Sequence, residues 1–383
     1  MTTHAAKYEE IQSKTVLNKH KFINPWGWNR YSVHAYIGCE HACEYCYERF
    51  DKYFQFQNPG EFTRKIKVKT NAPEVFARQL SRVKRDIVAL DKYQPAELQY
   101  GLNRKLLEII RDKGFPCFVL EKSDILLRDI DILEQISRQT WCNTAYSISV
   151  LDKNLVRLFE PHAPSPEKRL DAVKQLADRG IMVGVFLLPV IPYISDDEET
   201  LDKTIEQIKA AGAKYVLVGS MTLSPGQKDR FFTFLDNHFP GLKTKYLELY
   251  RKGQSPEPGY ASAFSRRAAE ICRRHGIRDH VPRNFIPEGM PKKNYEISTM
   301  LFRISQLLEG KGESPYRYMR YMFAAQSIEA MSEDISMINQ MGKLEEIPKT
   351  SGKILEMIKE KLTSGRVKFY DQLRAGQPGE NDE

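Results

Sequence analysis

Between about residues 30 and 220 the chain alternates short apolar runs with longer amphipathic ones. SVHAYIG (32–38), DIVAL (86–90), CFVLE (117–121), TAYSISV (144–150), MVGVFLL (182–188) and KYVLVGS (214–220) read as strands. Their nearly unbroken apolar character suits a parallel sheet buried on both faces. Between them, segments 72–85, 103–114, 165–180 and 197–212 carry apolar residues at helical spacing, and three of the four end in glycine. Asn71 ahead of Pro73, Ser165 ahead of Pro166, and Asp196 mark helix starts. Six strand–helix units in series predict an α/β fold, a partial (β/α)6 TIM-like barrel over 31–282 with its active groups at the C-terminal strand ends. Residues 1–30 form a lead-in.

The texture changes at the turn-rich PRNFIPEGMPKKN, which marks a linker over 283–293. Beyond it the pattern is helical only, at roughly 294–310, 315–330, 332–341 and 352–363. This predicts a small all-α domain over 294–373. The tail RAGQPGENDE (374–383) has no apolar periodicity and reads as disordered.

Composition adds setting rather than fold. The opening MTTHAAKYEEIQSKTVLNKHK lacks the apolar core of a signal peptide, and no apolar run reaches the ~18 residues of a membrane span. A soluble, reducing, cytoplasmic protein without membrane contact is the expectation. The formal charge of +8 over 383 residues favours an anionic partner, nucleic acid foremost.

Three of the six cysteines, Cys39, Cys43 and Cys46, fall within GCEHACEYC, directly after the first strand and so on the catalytic rim. In a reducing compartment such a cluster favours metal over disulfide. Two metals suit the C-x3-C-x2-C spacing. Zinc would take His34 or His41 as its fourth ligand. A 4Fe–4S cluster on three cysteines would keep one iron open to a substrate or cofactor, which accounts for three thiolates rather than four.

The motif resembles that of the radical SAM superfamily, and its surroundings resemble the spore photoproduct lyase-like branch. KTVLNK (14–19), NPWGWNRYSVHAYIGC (24–39), GCEHACEYCYER, DKYQPAE (91–97), EKSDILLRD (121–129), SISVLD (147–152), EPHAPSPEKRL (160–170) and PVIP (189–192) follow the order of that branch. The resemblance implies a 4Fe–4S cluster on Cys39, Cys43 and Cys46. It also implies S-adenosylmethionine (SAM) on the open iron, reductive cleavage to a 5′-deoxyadenosyl radical, and an external flavodoxin- or ferredoxin-like electron donor. It places Lys122 and Ser147 at the SAM carboxylate and ribose, Asp91, Tyr93, Gln94 and Glu97 near its amino group, and Tyr47 beside the adenine. Glu121 departs from the threonine common before that lysine. The lyase's thiol hydrogen donor has no counterpart soon after the cluster; Cys142 is the candidate that remains.

Residues 294–373 resemble the N-terminal helix–hairpin–helix domain of family X DNA polymerases, through LLEGKGESPYRYMRYMFAAQSIE, GKLEEIP and SGRVKFYDQL. The hairpin glycines are lost: Pro348 is followed by Lys349-Thr350-Ser351-Gly352. Lys353 falls on a phosphate-contacting lysine, while the Schiff-base lysine corresponds to Met357, which argues against sugar-phosphate lyase chemistry. Lys349, Lys353, Lys359 and Lys361, with Arg366 and Lys368, are the candidate nucleic-acid contacts. Three readings stand at this stage: a radical SAM enzyme acting on nucleic acid, one acting on a peptide or small molecule with the helices as a docking module, and a zinc-stabilised nucleic-acid-binding protein without catalysis.

Overall fold

The computed structural model describes residues 6–49, 54–375 and 377–378; most of the expected disordered tail lies outside them. Among the described residues ten strands build two sheets: β1 (Lys7–Ile11), β2 (Leu17–Lys19), β3 (Tyr31–Val33), β4 (Tyr36–Ile37), β5 (Lys65–Lys69), β6 (Val88–Leu90), β7 (Cys117–Glu121), β8 (Cys142–Ile148), β9 (Met182–Val190) and β10 (Val216–Ser220). The large sheet runs β10-β9-β8-β7-β6-β3-β2. Its six strands from β3 to β10 are parallel and β2 is antiparallel at the edge, so the predicted partial barrel is present and open.

The first strand is shorter than the apolar run suggested. Pairing with β6 stops at Val33, and β4 leaves to pair with β5 in a separate three-stranded sheet, β1-β5-β4. That departure brings Gly38 against the 62–65 backbone. Its φ is +90°, and a Cβ there would lie 2.7 Å from the Phe62 carbonyl oxygen, so only glycine delivers the chain into the cysteine loop.

Helices Ala72–Leu80, Leu102–Asp112, Ile130–Gln139, Pro166–Asp178 and Glu198–Ala210 cover the outer face of the sheet. Ser165 caps its helix as the sequence predicts, whereas Asp197, not Asp196, accepts the Thr200 N–H at the start of the next. Alternate strand residues point to opposite faces. Val119, Tyr146 and Val183 join the core beneath these outer helices. Phe118, Ala145, Phe186 and Leu217 belong to a second core, shared with helices Lys292–Gly310, Pro315–Glu329 and Lys353–Ser364.

The C-terminal helices therefore share a core with the sheet. Trp28 meets Phe302 edge to face at 5.4 Å and donates its indole N–H to the Val281 carbonyl. Arg283 lies 4.8 Å from both the Trp28 and Tyr295 ring centres and pairs with Glu329 at 2.5 Å, both side chains nearly fully buried. A buried ion pair of this kind is costly to break from one side. Among the described residues no helix is long and apolar enough to cross a membrane.

Candidate active site at the C-terminal rim

The cysteine loop follows β4 and is tied down on several sides. Cys39 N–H donates to Phe62 O, Glu44 N–H to Phe159 O, and His162 N–H to His41 O. Gln94 spans two loop residues, accepting from Glu40 N–H at 2.9 Å and donating to Gly38 O at 3.3 Å. Arg230 holds Glu44 at 2.6 Å and Lys92 holds Glu48 at 2.7 Å. The ties come from several parts of the rim, Lys92 and Gln94 from the segment after β6 and Arg230 from the helix Pro225–His238, and hold the loop backbone in place.

Burial raises all three thiol pKa values, that of Cys43 to about 12. Cys43 and Cys46 each add to the cost of ionising Cys39, so the thiols sense one another's charge. Three such thiols at one rim suit a bound metal, which displaces their protons and repays the mutual repulsion of the thiolates. Among the described residues no three His, Cys, Asp or Glu side chains are gathered about a single-ion site. Of the two histidines weighed as zinc ligands, His34 pairs through Nδ1 with Asp91 at 2.9 Å, and burial holds His41 neutral with its pKa lowered to about 4.

Lys122, at the end of β7, donates to Ser147 Oγ at 2.8 Å and pairs with Glu160 at 3.2 Å. Its ammonium also lies 5.4 Å from the centre of the Tyr45 ring. Glu160 is the hub: fully buried, it takes Lys122, the Arg169 guanidinium and the Tyr45 hydroxyl. Burial opposes its ionisation, but Lys122 and Arg169 outweigh that and hold its pKa far below the ordinary carboxylate range. Ser149 donates to the Tyr45 hydroxyl at 2.7 Å. One hydrogen-bonded cluster thus joins the strand-end lysine and serine to Tyr45, the residue directly before Cys46.

The sequence reading gave Glu160 and Arg169 no role. A signal was present: Arg169 occupies the apolar stripe of its helix with Ala172, Val173 and Leu176, at i, i+3, i+4 and i+7, where an arginine requires a buried anion.

Four expected residues are placed differently. Glu97 is fully buried and committed to the Tyr36 hydroxyl, Arg128 at 2.6 Å and the Asn103 N–H, leaving nothing for a ligand's amino group. Tyr93 is fully buried and donates to Asp129. Gln94 braces the cysteine loop rather than facing out. Cys142 opens β8 at the strand's N-terminal end, buried 3.5 Å from Cys117 Sγ beneath the outer helices, so it lies at the wrong end of the barrel to meet a rim radical. Asp91 stays partly exposed at the rim, and Tyr47 is 59% exposed beside Cys46.

In the helical domain a pocket of about 700 Å³ is lined by Tyr316, Arg317, Arg320, Lys353, Met357 and Lys368, among others. Of the six candidate contacts, Lys353 and Lys368 line it. Lys349 is exposed at the hairpin with φ +67°, holding a left-handed conformation that a glycine would adopt without strain. Lys359 is exposed, and Lys361 donates to Gly365 O at its own helix end.

Residues 292–367 match the family described as a helix-hairpin-helix domain. The uncharacterized protein Rv2578c of Mycobacterium tuberculosis (strain ATCC 25618 / H37Rv) is 34% identical over 286 residues, 72% of this chain and 83% of that protein. The uncharacterized protein MJ0683 of Methanocaldococcus jannaschii is 35% identical over 196 residues, 51% of this chain and 72% of that protein. Among solved structures, a spore photoproduct lyase double mutant with bound AdoMet and dinucleoside spore photoproduct superposes with a TM-score of 0.52 at 13% identity. The match covers 70% of this chain and 78% of that one. A second lyase structure, complexed with dinucleoside spore photoproduct, gives the same score at 14% identity, covering 70% and 79%.

Proposed function

Since this chain belongs to the family of the mycobacterial protein Rv2578c and has the radical SAM fold of spore photoproduct lyase, we propose that it is a radical SAM enzyme acting on nucleic acid, repairing or modifying a base. The carrying observation is the meeting of the cysteine loop with Lys122 and Ser147 through Tyr45 and Glu160 on one rim.

Cys39, Cys43 and Cys46 hold a 4Fe–4S cluster in this reading. When bound, the cluster supplies an electron to SAM and yields the 5′-deoxyadenosyl radical. The chain's own residues position the cofactor. Lys122 presents a cation to the SAM carboxylate, Ser147 a hydroxyl to the ribose, and Asp91 an anion to the amino group. Tyr47 offers its exposed ring to the adenine. Glu160, itself held by Arg169, anchors the Lys122 ammonium.

The substrate class rests on two supports. The fold neighbour was solved with dinucleoside spore photoproduct, and the pocket of the helical domain sets four cations and two tyrosines beside Glu356 and Glu360, which pairs phosphate contact with base stacking. A base within a duplex has to leave the stack to reach the rim.

Anaerobic purification tests the reading. About four irons per chain and 5′-deoxyadenosine from SAM are expected, and Cys43→Ala is expected to abolish both. Colourless protein holding one zinc points to the non-catalytic alternative. Deoxyadenosine formed without any affinity for oligonucleotides moves the substrate to a peptide or small molecule.

A further inference from the structure

Lys92 follows β6 at the rim with φ +69°, a left-handed conformation that is strained for a lysine. The strain accompanies an inward-turned side chain. Only 13% of it is exposed, and Nζ lies 2.7 Å from Glu48 Oε2 and 3.4 Å from the Tyr36 carbonyl oxygen. Tyr36 is three residues before Cys39, and Glu48 two after Cys46. One ammonium therefore fastens both ends of the cysteine segment.

Lys92 and Glu48 are the opposite charges of a largely buried pair set beside the cysteine segment. A clasp that served only to close the loop would need hydrogen bonds alone; the buried pair also sets a field where the thiolates stand.

We propose that Lys92 is a positioning residue for the iron–sulfur cluster, its ammonium closing the cysteine loop against Glu48 and offsetting the negative charge that the ligands and the incoming electron bring. This rests on the cluster reading above. One electron from a low-potential donor adds one negative charge at the site, with no protein bond made or broken and no proton taken up. A cation beside that charge favours the reduced form, and a carboxylate left alone favours the oxidised form.

The test uses the full chain, reconstituted anaerobically, with iron content and reduction potential measured for wild type, Lys92→Met, Glu48→Gln and the double variant. Lys92→Met is expected to move the potential negative and Glu48→Gln positive, with the double variant between them. An iron-loaded Lys92→Met at the wild-type potential, or both single variants moving the same way, overturns the proposal. If Lys92→Met does not take up iron, Glu48→Gln decides: a positive shift supports the field and an unchanged potential overturns it. Wild-type protein that binds no iron overturns the cluster reading, and this proposal with it.

Discussion

Lys122 and Glu160 form an ion pair of 3.2 Å in which the carboxylate is fully buried and the lysine partly exposed to the rim. The asymmetry suits a ligand-binding cation. Glu160 retains Arg169 when Lys122 is removed, so the carboxylate is not orphaned. Lys122→Met is therefore expected to fold and to load iron normally. Without this charge-assisted hydrogen bond, SAM binding is expected to weaken by roughly ten- to a hundredfold. Calorimetric titration of the reconstituted protein checks this, and an unchanged affinity removes Lys122 from the SAM site.

The reverse substitution is a different experiment. Glu160→Gln leaves the buried Arg169, and Lys122 beside it, without their anion, which is expected to cost about 3–5 kcal/mol. The pH dependence has a definite sign. A carboxyl depressed from its ordinary 4.5 contributes stability that is present above that value and lost as pH falls through the folded value. Melting temperatures from pH 7 down to pH 3 are expected to fall more steeply for wild type than for Glu160→Gln.

The shared core makes removal of the helical domain more than loss of a module. Truncation at residue 291 bares the Phe118–Phe186–Leu217 side of the sheet together with Trp28. The truncated chain is expected to aggregate or to lose its cooperative transition. Trp28→Ala in the full chain is expected to cost about 3–5 kcal/mol, because Phe302 then borders a cavity and Arg283 has no indole face beneath it. A truncated barrel melting like the full chain would show that the shared core contributes nothing.

How much of the molecule is legible in its sequence varies with the physics of each feature. β7 is legible to the residue, because its apolar run is too short for a helix and Gly114 and Pro116 set its start. The cysteine loop is legible because its spacing is itself the chemistry. The break between Val33 and Tyr36 is not, since SVHAYIG reads as one strand and only the pairing of β4 with β5 divides it. Glu97, Tyr93 and Gln94 sit in a rim motif, yet their side chains turn inward to Tyr36, Asp129 and Gly38, a direction that no one-dimensional pattern encodes. The shared core is hidden for a related reason. Phe302 and Trp28 lie far apart in the chain, and each alone reads as an ordinary buried aromatic.

The pocket in the helical domain makes a prediction that leaves the barrel core intact. Arg320 and Lys353 line it from two helices, and Lys353 is exposed. Arg320→Gln with Lys353→Gln is expected to weaken single-stranded oligonucleotide binding across all sequences. Each cation that neutralises a phosphate of a single strand contributes roughly 0.7 to the salt slope of log K, so the double variant is expected to lower it by roughly 1.4. Fluorescence anisotropy across a salt series measures both. Equal slopes for wild type and the double variant would place the phosphate-binding cations elsewhere.

Glu121, the departure from the family's threonine, makes a prediction of opposite sign to Glu160. It accepts the Tyr93 N–H at 2.8 Å and the Lys122 N–H at 3.3 Å, but burial dominates and raises its pKa to about 8, with nearby Asp91 adding to the rise. An acid raised in the folded state stays protonated there while the unfolded chain ionises. Stability therefore falls as pH climbs from 4.5 to about 8, by up to about 1.4 kcal/mol per unit. Glu121→Gln keeps one acceptor and cannot ionise, so it is expected to flatten that decline and to stabilise the protein most at pH 8. Denaturant titrations at pH 5, 6.5 and 8 check this. Parallel pH curves for the two proteins would mean that Glu121 is ionised in the fold, compensated by its two N–H donors and Lys122.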